Sequence, residues 1–312
     1  MLLRIRRFVS KSKAKFEIKS FGKGYSEMIK DTISDQLIYS TVKITCRNAS
    51  SISYGSGFFM RQNLSDGNII QAIVTNKHVL RGYDYAEITL AGIHSDGTPD
   101  DLNHVTISIS DLQRKIRSHP DENIDISLLF VNDEIKKSSV LGKPVYYRSV
   151  GTDMILPPQS LGPLTSIEDV IMIGYPSGMI DTYNNKPVVR KGITAASLKL
   201  DYEGTPDFLI DISCFPGSSG SPVFLRKVGL VQEVLENKLT LGLMPNYSLL
   251  GIIHSVLTVK ANGNIAQKEI PTSLAPIVEM NIPLNLGHVT KAKKILEVFD
   301  MISKMSTFSS SV

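Results

Sequence analysis

A serine set among glycines is the first candidate for chemistry in this sequence. Ser219 lies in GSSGS, residues 217–221, directly after CFP and directly before PVF. Glycines on both sides permit a turn so tight that the amides of Gly217 and Ser219 point into one hole, where they would stabilise an oxyanion. The pattern predicts a catalytic serine. Taken alone, it fits an ordinary glycine-serine hairpin equally well.

Covalent catalysis by a serine also needs a base for the hydroxyl proton and a group that orients that base. His78 follows a predicted strand in TNKHVL, and the two apolar residues behind it predict a helical turn that seats the imidazole. Asp125 lies between two isoleucines in an apolar segment, where a carboxylate is costly unless it is hydrogen-bonded, for instance to an imidazole N–H. A single histidine or aspartate is more often structural, so the hypothesis depends on the whole set.

The elements that must position these residues are short β-branched or aromatic segments broken by turn residues. They form two clusters, 38–110 and 169–257, separated by residues 149–163, which are rich in Pro and Gly. SDG at 65–67 and at 95–97 is typical of hairpin turns. Two clusters of about six strands each predict an all-β fold of two closed six-stranded antiparallel barrels, since closure removes exposed strand edges.

The two ends of the chain differ from the body. The N-terminal residues form a basic arm, with a weak helical period at 26–37, and residues 290–305 predict an amphipathic helix with Thr290 as its cap. The apolar face of that helix comprises Ile295, Val298, Phe299, Ile302 and Met305. The predicted division is 1–34 for the arm, 35–148 for the first barrel, 149–163 for the linker, 164–288 for the second barrel and 289–312 for the C-terminal helix and tail.

Composition indicates an ordinary soluble globular protein, with 42% hydrophobic and 21% charged residues among 312. The net charge of +4 is too small to indicate nucleic acid, and no apolar run approaches the ~20 residues that span a bilayer. Nucleic acid and membrane are therefore not expected as partners. Cys46 and Cys214 are the only cysteines, which favours free thiols in a reducing compartment. Without an apolar signal segment at the start of this sequence, a cytoplasmic location is expected.

Seven segments in order resemble a known family. GSGFFM, TNKHVL, DISLL, IGYPSGM, VVRKGITAA, DISCFPGSSGSPVF and LLGIIHS lie within residues 38–260. The chain resembles the trypsin-like serine peptidases of the chymotrypsin fold (PA clan), in particular the protease domain of the bacterial Deg, or high-temperature-requirement, branch. No segment like a PDZ domain follows it in this sequence. The resemblance implies a bacterial serine endopeptidase with Ser219 as nucleophile, His78 as base and then acid, and Asp125 fixing the histidine tautomer.

The resemblance also implies the surroundings of the triad. The oxyanion hole would be formed by the backbone of Gly217, Ser218 and Ser219. The substrate-binding residues would be Ser213, Cys214, Phe215, Pro216, His254, Ser255 and Tyr175. Members that cut after Lys or Arg carry an acid at the position of Ser213, so a basic P1 side chain is not favoured. Two roles stay open for His254: it could donate to a polar or acidic P1 side chain, or pack beside Asp125.

No cofactor is implied, and no metal is expected because no two of the six histidines have ligand spacing with a nearby Cys or acid. The expected partners are a protein or peptide substrate and a regulatory protein that restrains proteolysis in the cytosol. Two alternatives remain. One is a catalytically silent module that binds a partner through the cleft between the barrels, against which the complete Ser-His-Asp set argues. The other is an adaptor whose arm, with Arg4, Arg6 and Arg7, binds nucleic acid or membrane.

Overall fold

The computed structural model of the chain describes residues 32–176, 181–235, 238–264 and 277–309. Residues Ile33–Val312 form one compact unit. Residues 1–31, which make up most of the predicted basic arm, lie outside the described residues. Within the described ranges, no helix is both long and apolar enough to cross a membrane.

The first part of the chain folds into a nine-stranded sheet, which we call the first sheet. Its strands are β1 (Thr41–Arg47), β2 (Ile52–Asn63), β3 (Ile69–Thr75), β4 (Tyr85–Ile93), β5 (Pro99–Ile109), β6 (Ile116–Ser118), β7 (Ser127–Leu129), β8 (Val145–Tyr146) and β9 (Val150–Gly151). They run in the order β5-β4-β1-β2-β3-β7-β6, with β8 on β4 and β9 on β2. Gly67 and Gly97 adopt φ values of +84° and +82° in the two SDG turns, which join β2 to β3 and β4 to β5, so both predicted hairpins are confirmed.

The second part forms a closed six-stranded barrel, which we call the barrel. Its strands are β10 (Asp169–Gly174), β11 (Val188–Thr194), β12 (Asp207–Asp211), β13 (Pro222–Leu235), β14 (Lys238–Asn264) and β15 (Ile277–Lys291). They close in the order β10-β11-β12-β15-β14-β13. The predicted all-β, chymotrypsin-like class is confirmed, but the first part has nine strands where the sequence predicts six. One difference is that β14 is a single strand that includes both KLTLG and LLGIIHSVL, which the sequence suggests are two.

Five α-helices connect or cover these sheets in the described part of the chain: α1 (Ile33–Ser40), α2 (Lys77–Leu80), α3 (Leu112–Lys115), α4 (Asn132–Val140) and α5 (Lys293–Ser309). The predicted C-terminal helix is confirmed as α5, and Ile295, Val298 and Phe299 are fully buried. The prediction of Thr290 as its cap is wrong, because Thr290 pairs with Asp207 within the barrel and α5 begins at Lys293.

The predicted linker follows the surface of both sheets. Its residues 150 and 151 form β9 beside β2, and the N–H of Leu156 donates to the carbonyl of Leu249 on β14 at 3.1 Å. Each sheet has a core of its own. A third core joins them with α5 and includes Phe58, Val74, Phe224, Leu249 and Val298. The two sheets are therefore packed through a shared apolar layer, which fixes how the segments that carry the predicted triad meet.

Candidate active site

The first sheet positions His78 and Asp125 against each other. His78 lies on α2, a single turn that begins two residues after β3, and Val79 and Leu80 anchor this turn because they are 3% and 1% exposed. Its Nδ1 lies 2.5 Å from Asp125 Oδ2. The backbone N–H of His78 donates to Asp125 Oδ1 at 3.1 Å. One carboxylate thus holds both the ring and the backbone of His78, as the sequence predicts for a base and its orienting group.

Asp125 is ionised in this arrangement. It lies just before β7, with the flanking isoleucines buried, and its backbone carbonyl accepts from Asn76 Nδ2 at 2.7 Å. Burial raises the pKa of Asp125, but the hydrogen bonds and charge of His78, with a smaller effect of the His254 charge, outweigh burial and hold the pKa below its usual value. A charged carboxylate at this position favours the tautomer of His78 that carries its proton on Nδ1 and leaves Nε2 free as a base.

Ser219 lies on a tight turn between β12 and β13, residues 215–221, which we call the nucleophile turn. The N–H of Ser218 donates to the carbonyl of Phe215 at 3.0 Å, and Gly217 has φ +87°. Pro216 followed by a glycine with positive φ is the pattern of a type II turn. Gly220 has φ +88°, and its N–H donates to the carbonyl of Ile253 at 2.9 Å. The glycines on both sides of Ser219 therefore supply the conformations that the sequence predicts.

Of the three predicted donors of the oxyanion hole, two have a free amide. The N–H groups of Gly217 and Ser219 donate to no other group among the described residues, so both are free to bind an oxyanion. The Ser218 amide is already used within the turn. The prediction that the Ser218 backbone donates to the oxyanion is therefore wrong, because its N–H is hydrogen-bonded within the type II turn.

Ser56 of the first sheet holds the nucleophile turn in place. Its N–H donates to the carbonyl of Ser219 at 2.8 Å. Its buried hydroxyl donates to the carbonyl of Gly217 at 2.9 Å and accepts from the N–H of Tyr175 at 2.9 Å. Thr75 Oγ1 in turn donates to the carbonyl of Ser56 at 2.7 Å. Ser56 lies within the GSGFFM segment, and its residue type and position there predict no such role. The two glycines around it, each closely approached by core side chains, are the only local signal.

The Ser219 hydroxyl donates to the backbone carbonyl of His254 at 3.5 Å. No hydrogen bond joins it to His78 in the described part of the structure. Transfer of its proton to the histidine therefore requires Oγ to leave this long contact. Nucleophile and base often align only when substrate is bound, so this geometry is compatible with a Ser-His pair.

The predicted substrate-binding residues divide into exposed and buried ones. Phe215, Pro216 and Ser255 are exposed and Ser213 is half-buried. Cys214 and Tyr175 are 0% and 2% exposed, so the prediction that they contact substrate is wrong. Cys214 packs in the core of the barrel. Tyr175 instead joins the two sheets, because its hydroxyl donates to the carbonyl of Thr41 at 3.3 Å.

His254 takes part in a cluster that sequence analysis misses. Its Nε2 lies 2.9 Å from Asp207 Oδ2 on β12, and its ring centroid lies 5.9 Å from that of His288 on β15. This bond to Asp207 tests neither of the two roles left open for His254, whose charge also acts on Asp125. Burial raises the pKa of Asp207, but the hydrogen bond and charge of His254, with smaller effects of Thr290 and His288, hold that pKa below its usual value. Burial, then the charge of His254, lowers the pKa of His288.

A family model described as a trypsin-like peptidase domain matches residues 55–231. No curated protein matches the sequence. The match begins in the GSG segment around Ser56 and ends within β13, so it includes His78, Asp125 and Ser219.

Solved structures with similar folds are distant. An HtrA-type protease, AlgW, bound to a tripeptide is 17% identical with a TM-score of 0.42, and the match covers 86% of this chain and 61% of that one. A serine endoprotease from Yersinia pestis is 15% identical with a TM-score of 0.41, covering 90% and 67%. A mutant tobacco etch virus protease is 10% identical with a TM-score of 0.43, covering 84% and 77%. The chain spans about three fifths of the first of these, and likenesses this distant carry no conclusion about substrate.

Proposed function

The chain belongs to the trypsin-like peptidase family, and we propose that it is a serine endopeptidase that uses Ser219, His78 and Asp125 as its triad. The contact of 2.5 Å between His78 Nδ1 and Asp125 Oδ2 carries the proposal. Asp125 fixes the ring so that Nε2 acts as the base, and the charge of this carboxylate stabilises the imidazolium that forms when the base takes a proton.

In the proposed acylation step, Ser219 Oγ attacks the carbonyl carbon of the scissile peptide bond while His78 Nε2 takes the hydroxyl proton. The carbonyl oxygen becomes an oxyanion, which accepts hydrogen bonds from the amides of Gly217 and Ser219. When the tetrahedral intermediate collapses, the C–N bond breaks and the imidazolium gives its proton to the leaving amine. The product is an ester between Ser219 and the N-terminal part of the substrate.

Deacylation repeats these steps with water. His78 Nε2 takes a proton from a water molecule, whose oxygen attacks the ester carbonyl, and the same two amides stabilise the second oxyanion. Collapse returns the proton to Ser219 Oγ and releases the new carboxyl terminus. No other group is needed in either step, so the proposal involves no cofactor.

Labelling with a fluorophosphonate probe tests the site without knowledge of the substrate. We expect one adduct by intact mass on the wild-type protein and none on Ser219→Ala or His78→Ala, because the probe reacts with an activated serine that has an oxyanion hole. Ser40→Ala is the control: this serine is also buried, its hydroxyl donates to the Leu37 carbonyl within α1, and its loss should leave labelling intact. An adduct on Ser219→Ala, or equal labelling of His78→Ala and wild type, would contradict the proposal.

We further propose that the enzyme acts on one or a few protein substrates and is restrained inside the cell until substrate or a regulatory protein engages it. Restraint requires that Ser219 and His78 align only on engagement, and among the described residues no hydrogen bond joins the Ser219 hydroxyl to His78 in the resting structure. Rapid, unselective degradation of casein by the purified protein would contradict restraint but leave the triad standing. A catalytically silent module remains the alternative, and absence of labelling in purified protein and in cell lysate would favour it.

A further inference from the structure

Three strands of the barrel bring one carboxylate and two imidazoles together. Asp207 begins β12, His254 lies on β14 and His288 lies on β15, and one possible ligand atom from each lies within 4.8 Å of the other two. We propose that Asp207, His254 and His288 form a binding site for a zinc ion. The site adjoins the triad, because the His254 carbonyl accepts from Ser219 Oγ at 3.5 Å. None of its three proposed ligands is a triad residue and zinc binding does not require peptidase activity, so the two proposals can fail independently.

The donor set selects the kind of metal. Two imidazole nitrogens and one carboxylate oxygen form a set of three protein ligands, as zinc uses when a fourth position is left to water. Calcium and magnesium prefer sites made only of oxygen. Zinc bonds of about 2.0–2.2 Å in a tetrahedron place ligand atoms about 3.3 Å apart. His254 Nε2 and Asp207 Oδ2 lie at 2.9 Å, so small side-chain movements would reach this geometry.

The strand register explains why the three side chains converge. Asp207 pairs with Thr290, and His288 pairs with Leu209 on one side and with Ser255 on the other. The register between β14 and β15 shifts between Ile253 and Ser255, which leaves His254 at a bulge. A bulge re-aims the side chain it carries and often lies next to an active site. Here it turns His254 towards Asp207, and the barrel strands hold all three ligands in place.

His288 is the residue that a simple ion pair does not explain. An ion pair between His254 and Asp207 needs no third residue. The half-buried ring of His288 nevertheless lies beside this pair, and it packs against Tyr202 in a T-shaped contact with 5.6 Å between ring centroids. Among the described contacts of His288, the side chain makes no hydrogen bond, so a ring nitrogen remains available to a third partner. A metal ion would use that nitrogen and the two groups of the pair together.

The test is zinc titration of the full chain carrying Ser219→Ala, which removes self-cleavage as a complication. Isothermal titration calorimetry should give one site per chain, and a saturating excess of zinc should raise the thermal midpoint by a few degrees. His288→Val should weaken binding roughly tenfold or more, since even losing a group that supports a metal ligand costs about 10–100-fold. Valine suits a strand, and Asp207→Asn gives a second variant that keeps shape.

Two controls locate the ion. His94→Val removes an exposed histidine that pairs with Asp100 in the first sheet at 3.6 Å, and it should leave affinity unchanged. His78→Gln removes the other close His-Asp pair, and it should also leave one site per chain. Cobalt(II) as a second probe should give the visible absorption of a tetrahedral site in the parent protein and lose it in folded His288→Val. Zinc binding to the parent protein without saturation would overturn the proposal. So would unchanged zinc affinity in both His288→Val and Asp207→Asn, or loss of zinc binding in His78→Gln alone.

Discussion

The first sheet and the barrel hold their parts of the candidate active site in different ways. Beside the first sheet, Asp125 contacts both the ring and the backbone of His78, and both residues lie on segments that connect its strands, α2 and the loop before β7. In the barrel, the nucleophile turn receives hydrogen bonds to the carbonyls of Gly217 and Ser219 from Ser56, which belongs to the other sheet. The base is therefore assembled locally, whereas the nucleophile depends on the packing between the sheets.

This difference separates two kinds of defect. A change at Asp125 should damage the base and leave the nucleophile turn in place. A change at Ser56, or at Gly220 which lies against it, should displace the nucleophile turn and leave the contact between His78 and Asp125 intact. Variants of each class therefore test whether the two parts of the candidate site are held independently.

Gly220→Ala should have the largest effect. A Cβ at this position would lie 1.9 Å from the Ser56 carbonyl oxygen and 2.7 Å from Thr75 Oγ1, with φ at +88°. Because one of these atoms is backbone of a central strand, the turn must move, and we expect fluorophosphonate labelling to fall to background in a protein that remains folded by circular dichroism.

Gly97→Ala is the matched control for Gly220→Ala. Its φ is +82°, but an added Cβ would meet nothing within 4 Å. It should cost only about 1–2 kcal/mol of stability from the left-handed conformation, with labelling unchanged. Normal labelling of Gly220→Ala would show that the nucleophile turn does not depend on contact with the first sheet.

Asp125→Asn should lower kcat by about 10⁴-fold, because asparagine can hold His78 in the tautomer that leaves no base at Nε2. Since the pKa of Asp125 lies below its usual value, the carboxylate is ionised at every pH above about 4. Protonation of Asp125 itself should therefore add nothing to the pH dependence of the wild-type kcat above that value. Peptide hydrolysis measured over a pH series checks both statements, with Asp121→Asn from the same loop as control. A small loss of kcat would mean that Asp125 is structural.

Ser56→Ala should have a smaller effect on kcat, about 10–100-fold. The variant loses the hydroxyl bonds to the Gly217 carbonyl and the Tyr175 amide, each worth about 1 kcal/mol, and loosens the oxyanion hole. Most of the loss should fall on kcat and little on KM. Ser40→Ala removes another buried hydroxyl, bonded to the carbonyl of Leu37 at 2.8 Å, and should leave kcat unchanged. An equal loss in both variants would indicate general destabilisation.

The candidate triad could be predicted from the sequence because its residue types and local contexts suit the chemistry, and the structure brings His78 and Asp125 together. Ser219 is recognised from the glycines that its turn requires, and Asp125 from the cost of a carboxylate among isoleucines. The role of Ser56 arises from contacts with residues more than 100 positions away, so no local pattern predicts it.

The wrong assignments have equally specific causes. Cys214 lies next to pocket residues along the chain, but alternation places Ile212 and Cys214 in the core and their neighbours outward. Asp207 and His254 are 47 residues apart, and His288 is on a third strand. Spacing along the sequence, which predicts metal ligands only when they are local, could not identify this cluster.

The two cysteines offer the finest test, because one lies in the core of each sheet. Cys46 is in the core of the first sheet and Cys214 is in the core of the barrel, in the segment that leads into the nucleophile turn. Burial raises the pKa of each thiol to about 12, with the nearby charge of Arg190 acting in the opposite direction on Cys214. Both should be protonated and inert to iodoacetamide at pH 8 in the native protein.

Ser56→Ala should change the reactivity of one thiol and not the other. If the nucleophile turn depends on Ser56, its loss should ease local opening of the barrel segment, and Cys214 should be alkylated about tenfold faster relative to Cys46. Peptide mass spectrometry of a timed reaction gives the ratio within one sample, and Ser40→Ala should leave that ratio as in wild type. Equally faster alkylation of both cysteines would mean that the whole chain opens. The nucleophile turn would then depend on the first sheet no more than the contact between His78 and Asp125 depends on the barrel.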